Sequence, residues 1–114
     1  MTKLGKQKFV GIMLFAAWLS GTQAAEVTVG QQNKVFISSS GQKIDKIKIQ
    51  VGDTVTFKNL DPFLHNVFSA SDINVFDLGS FPKGESRSMK FDKKGSAEIE
   101  CAVHPNMMLK IDVE

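Results

Sequence analysis

Gly95-Ser96-Ala97-Glu98-Ile99-Glu100-Cys101-Ala102-Val103-His104-Pro105-Asn106-Met107-Met108-Leu109-Lys110-Ile111-Asp112-Val113 carries two alternating runs around a short interruption. Ala97, Ile99 and Cys101 fall on one side of the first run, with Glu98 and Glu100 on the other. Leu109, Ile111 and Val113 repeat the pattern in the second run. A period of two marks strands with one face on a core. Between them a thiol, an imidazole and a thioether fall within seven residues, on a tight loop joining the two strands. Cys101 therefore starts on the buried side of a sheet, near its end, where a reactive group is protected.

The same alternation recurs upstream in Val27 and Val29, Val35 and Ile37, Ile47, Ile49 and Val51, Val55 and Phe57, and Arg87, Met89 and Phe91. Turn signals separate the runs at Ser38-Ser39-Ser40-Gly41, Val51-Gly52-Asp53, Asn59-Leu60-Asp61-Pro62, Pro82-Lys83-Gly84-Glu85 and Lys93-Lys94-Gly95. Seven or eight short strands at this spacing predict an all-β fold, an antiparallel sandwich. Residues 69–82 read poorly as a strand and are expected to form a long excursion with a short helical turn. Phe36, Phe57, Phe68 and Phe91 are the expected core aromatics. No internal repeat, linker or low-complexity tract interrupts the chain.

The 114 residues leave room for one core, which excludes a two-domain enzyme. Residues 1–25 have the three-part pattern of a secretory signal peptide: Lys3, Lys6 and Lys8, then the apolar run Phe9 to Leu19, then small residues up to Ala24-Ala25. The run is too short to span a bilayer, which takes about 20 apolar residues. Cleavage after Ala24 fits best, with Ala25 as the alternative, leaving a single exported domain over residues 26–114, periplasmic or secreted, with no membrane attachment. The leader holds three lysines and no acid, so 14 − 3 = 11 basic residues face 12 acidic ones in the mature chain, net −1. Nucleic acid is not indicated as a partner. Trp18 leaves with the leader, and the chain has no Tyr.

A single cysteine in an exported protein has no partner in its own chain. Taken alone, Cys101 reads as an inert core residue, an intermolecular disulfide or a metal ligand. Its neighbours, His104 and Met107, favour the metal. The other histidine, His65, sits in Asp61-Pro62-Phe63-Leu64-His65-Asn66-Val67, at the start of a strand. Two His and one Cys with a weak axial Met make the donor set of a blue-copper centre. Structural zinc normally takes four Cys or His donors.

These motifs resemble the cupredoxins, the type I copper proteins of the plastocyanin, pseudoazurin and amicyanin group. The resemblance covers about residues 26–114. The spacing C-x-x-H-x-x-M, with Pro105 directly after His104, matches amicyanins more closely than plastocyanins. Ile49-Gln50-Val51-Gly52-Asp53-Thr54-Val55-Thr56-Phe57-Lys58-Asn59, continuing to His65-Asn66-Val67, resembles the segment leading to the first ligand. The resemblance implies a cupredoxin-like Greek-key β-sandwich or barrel holding one type I copper ion. By that resemblance His65, Cys101 and His104 are the strong ligands and Met107 the axial one, with Met108 as the other axial candidate. Asn66 would tie the two ligand loops together. Ile99 and Ala102 depart from the residues common at those positions.

The function this implies is one-electron transfer in the periplasm or outside the cell. Four protein donors leave no open position for substrate, so the protein is read as a carrier and not an enzyme. Docking would be transient, with a c-type cytochrome or a dehydrogenase as redox partner, and the carrier a monomer. His104 would be the electron port within an apolar patch including Leu64, Pro105 and Met108. Reduction is expected to let His104 protonate and leave copper at mildly acid pH. Two other readings remain: a copper-binding or copper-delivery protein of the same compartment, and a non-redox interaction module with Cys101 inert. Asp72, Asp77, Glu98 and Glu100 read as solvated charges, and Lys43, Lys46 and Lys48 as a solvated face, with docking of a partner as the alternative.

Overall fold

The computed structural model describes residues 23–114. The expected export segment lies outside the described residues except for its last three. Nine strands run through the described residues: β1 (Glu26–Gln32), β2 (Val35–Ile37), β3 (Lys46–Ile49), β4 (Thr54–Asn59), β5 (His65–Ser71), β6 (Asn74–Phe81), β7 (Ser86–Lys90), β8 (Gly95–Glu100) and β9 (Met108–Val113). They form two sheets, ordered β2-β1-β4-β7 and β3-β9-β8-β5-β6. Alternate residues of both sheets point between them and make one core of Val29, Phe36, Val55, Phe57, Val67, Phe81, Ile99, Leu109, Ile111 and their neighbours. Each buried Phe or Leu contributes about 2 kcal/mol of hydrophobic stabilisation.

The all-β sandwich is as expected, with three corrections. The sheets are mixed, not purely antiparallel: β1 runs parallel to β4 and β3 parallel to β9. The chain changes sheet after β2, β3, β4, β6 and β7, so strands from separate excursions come to lie side by side. Residues 69–82 hold no helical turn. They complete β5 and form β6, paired antiparallel from Ser71↔Asn74 to His65↔Phe81. This edge strand is half-exposed along its length, which blurs the apolar alternation. It raises the count above the seven or eight strands expected.

The third correction concerns Phe68. The β5–β6 register shifts between Asn66 and Phe68, so His65, Asn66 and Val67 are all buried and Phe68 is only half-buried. Such a bulge places consecutive residues on one face and re-aims the side chains around it. Phe81, directly opposite His65, takes the core position instead. Phe36, Phe57 and Phe91 are buried as expected.

Two features of the first sheet prepare the far end of the sandwich. The inward rows Val27-Val29 and Val55-Phe57 each continue into a buried polar residue, Gln31 and Asn59. The β1–β2 connection is a two-residue turn with both residues left-handed, Asn33 at φ 56° and Lys34 at φ 62°. That is the backbone of a type I′ hairpin. Asn tolerates it; Lys does so at a cost of about 1 kcal/mol, which needs an anchor.

Candidate metal centre

The anchor is Asp61. Its carboxylate accepts the N–H of Asn33 at 2.7 Å and of Lys34 at 3.2 Å, which holds the strained turn. The same carboxylate meets Nε2 of His65 at 2.7 Å. Asp61 is itself held by Asn59. The Asn59 amide donates to the carbonyls of Phe63 and Phe81 at 2.7 and 2.9 Å, and its Oδ1 accepts the Asp61 N–H at 2.7 Å. One buried side chain thus shapes the whole loop that leads into β5. Burial alone would push the Asp61 carboxyl up. The His65 bond and the two backbone donors outweigh it and hold the group below its ordinary value of 3.8.

With Nε2 committed to Asp61, His65 turns Nδ1 towards Cys101, 3.7 Å from Sγ. His104 presents Nδ1 to the same sulfur at 3.9 Å. The three donor atoms lie within 4.8 Å of one another. Nitrogen and sulfur donors about 2.0 and 2.3 Å from a shared ion in a trigonal plane stand about 3.7 Å apart, so the spacing fits a His₂Cys metal site. The chemistry of the set also fits, because one soft sulfur and two imidazoles suit both copper oxidation states.

The sulfur is buried and accepts the Asn66 N–H at 3.4 Å. Asn66 also reaches across to the second loop, its Oδ1 accepting the Ala102 N–H at 2.7 Å. Its own amide is steadied by Asp77 at 3.3 Å, so Asp77 does more than solvate the surface. The loop from Cys101 to Met107 closes through successive turns, with the His104 N–H donating to the Cys101 carbonyl and the Met107 N–H to the His104 carbonyl. These turns leave Met107 buried and Met108 outward-facing and 45% exposed.

His104 is half-buried. Its imidazole is held below the ordinary 6.5, first by burial and then by the charges of His65 and Lys34, with Asp61 opposing. Phe63 bridges the two imidazoles, its ring 5.3 Å from that of His65 and 5.2 Å from that of His104. Phe63, Leu64 and Val103, at 38%, 50% and 51% exposure, make an apolar surface beside His104 and Pro105. Leu64 and Pro105 are exposed as anticipated. Met108 instead lines a small recess with Lys43, Ile44 and Asp45.

The structure therefore brings His65, Cys101 and His104 together and buries Met107 on the same loop. Sequence reasoning missed Asn59, Asp61 and Phe63, because Asn59-Leu60-Asp61-Pro62 reads first as a turn. The available signal was a carboxylate four residues before a candidate ligand histidine, since ligating imidazoles usually give their second nitrogen to such a group.

The sequence profile described as "Copper binding proteins, plastocyanin/azurin family" matches residues 42–114, spanning β3 to β9 and both loops of the centre. The chain belongs to the plastocyanin/azurin family of copper-binding proteins. Within that family it is similar to the amicyanin of Paracoccus denitrificans, with 33% identity over 94 residues, 80% of this chain and 71% of the relative. A Cu(I) structure of a methionine-to-alanine mutant of amicyanin superposes with a TM-score of 0.67 over 78% of this chain and 82% of that one, at 23% identity, a likeness of fold. A copper-containing nitrite reductase from Thermus scotoductus matches at a TM-score of 0.69 and 25% identity, covering 82% of this chain but 23% of the enzyme. The plastocyanin/azurin assignment makes this a copper protein of an electron-transfer family, as the two sequence motifs led one to expect.

Proposed function

We propose that the chain is an exported one-electron carrier, with one type I copper ion held by Nδ1 of His65, Sγ of Cys101, Nδ1 of His104 and the thioether of Met107. The observation that carries this reading is the 3.7 and 3.9 Å spacing of the two imidazole nitrogens from a single buried sulfur. Bound there, copper supplies a Cu(II)/Cu(I) couple. The chain's part is to keep the donors from rearranging as the charge changes. His65 is fixed by Asp61, the sulfur by the Asn66 N–H, and the two loops to each other by Asn66 and Ala102. Burial of Met107 against exposure of Met108 favours Met107 as the methionine that would hold the ion.

Four protein donors leave no place for a substrate, which favours a carrier over an enzyme. The half-buried His104 ring, flanked by Phe63, Leu64 and Val103, is where electrons leave, to a c-type cytochrome or a dehydrogenase that docks briefly. The carrier works as a monomer in the periplasm or outside the cell, as the single domain freed of the lysine-flanked leader. The test is Cu(II) titration of purified apo-protein. An intense band at about 600 nm is expected, conspicuous because residues 26–114 contain neither Trp nor Tyr. A weak band with ready loss of metal to a chelator would turn the reading to copper delivery.

A further inference from the structure

Lys34 sits over Phe63, whose ring touches both ligand imidazoles. Its Nζ lies 5.6 Å from the centroid of Phe63, a cation–π distance. Together with Val103, Pro105 and Asn106 it lines the surface depression around His104. The ammonium has no acidic partner among the described residues, and neither has Lys83 in the Pro82–Gly84 turn. That turn is fixed to this end of the sandwich, because the Gly84 N–H donates to the carbonyl of Asn59. Asp45 and Glu85, acids in neighbouring connections, are each paired, with Lys43 at 2.9 Å and Arg87 at 3.2 Å. Asp61 is buried and bonded to Asn33, Lys34 and His65.

The position of Lys34 is also built. Its backbone is left-handed and strained, and the carboxylate that holds it there is the one that holds His65. A solvated lysine needs no such fixing. The surface around the port is thus apolar with a lysine beside it that has no ion-pair partner among the described residues, although the mature chain as a whole is slightly acidic. Resting on the carrier reading above, we propose that Lys34, seconded by Lys83, selects a redox partner whose electron-exchanging edge is rimmed by carboxylates. The partner's acid pairs with Lys34 while its apolar surface covers Phe63, Leu64 and Val103. Such a pairing sets encounter rate and choice of partner more than affinity.

The test uses the mature copper-loaded protein and two small outer-sphere oxidants of opposite charge, hexacyanoferrate(III) and tris(phenanthroline)cobalt(III). In each case one electron passes from Cu(I) to the oxidant, giving Cu(II) and iron(II) or cobalt(II), with no proton or bond exchanged. The wild-type rate with the anionic oxidant should fall as salt is raised and the rate with the cationic one should rise. Lys34→Gln should slow the anionic reaction roughly fivefold at about 0.01 M ionic strength and speed the cationic one. Lys34→Glu should widen both changes, and Lys83→Gln should move them the same way by less. Equal changes with both oxidants would assign Lys34 to the copper site itself and overturn the proposal, as would wild-type rates indifferent to salt. Failure of the protein to exchange electrons with either oxidant would instead sink the carrier reading, so the two failures are distinct.

Discussion

Oδ2 of Asp61 lies 2.7 Å from Nε2 of His65, and the other donors to that carboxylate are the two backbone N–H groups of the Asn33-Lys34 turn. One buried carboxylate thus orients an imidazole and pays for a strained hairpin, linking the β1–β2 edge of the sandwich to the centre.

Removing it should be felt in both places. Asp61→Ala leaves the buried His65 nitrogen and the two part-buried N–H groups of the turn without their acceptor and is expected to lower apo-protein stability by about 2 kcal/mol. Loss of the orienting partner should weaken copper binding about 10- to 100-fold. Urea denaturation of the apo-protein and competition with a copper chelator measure the two separately. A variant that loses affinity with unchanged stability would mean that the turn does not depend on Asp61.

Asn66 offers a different contrast. Asn66→Ala keeps the backbone N–H that donates to Cys101 but removes the bond to the Ala102 N–H. We expect about 1 to 2 kcal/mol of destabilisation, from the part-buried bond to Ala102 and the weaker one to Asp77 lost together. The blue band should persist but broaden, because the second loop is no longer tied to the first. Visible spectroscopy and thermal unfolding are the measurements.

Acid should destabilise the apo-protein in two stages of the same sign. His104 titrates below its ordinary 6.5, so the unfolded chain binds its proton first, and stability falls as pH drops from 6.5 towards the folded value. Asp61 and Asp53 titrate below 3.8, Asp53 because the Ala25 and Gln50 N–H groups donate to it. Their stabilisation is complete above 3.8 and is lost as pH falls through the depressed values. Urea midpoints from pH 7 to 3 should decline through both windows. Asp61→Asn should flatten the lower one.

The last expectation concerns the beginning of the mature chain. The Ala25 N–H donates to Oδ1 of Asp53 at 2.8 Å, and the Ala25 carbonyl accepts from Thr54 at 3.0 Å. Cleavage after Ala24 would make that N–H an ammonium facing a carboxylate. Mass spectrometry of exported protein should therefore find Ala25 as the first residue, and Asp53→Asn should lower its unfolding temperature. A mature chain beginning at Glu26 would remove the contact and the expectation with it.

Much of this was legible in the sequence because the signals are local. Alternation in Ala97–Cys101 and Leu109–Val113 fixes two strands and places the thiol inward, and the spacing of Cys101, His104 and Met107 marks the loop between them. What escaped is non-local. β6 is an edge strand whose pairing with β5 supplies the order its own composition does not. Phe81 became a core residue through its place opposite His65, and Phe68 lost one through a register shift that no composition announces. Asp61 and Phe63 belong to the site only because Asn59 folds their loop back onto it.

The register shift in β5 has a bearing on how this chain can change. Three neighbours, His65, Asn66 and Val67, are all buried there, where the register of the strand shifts. Deleting a single residue between His65 and Ser69 would restore a regular pleat and swing either the imidazole or Val67 to the outside. Natural variation in length should therefore be absent from this segment and gather in the connections at the opposite pole. The metal, more than the sheet, dictates how many residues this strand has.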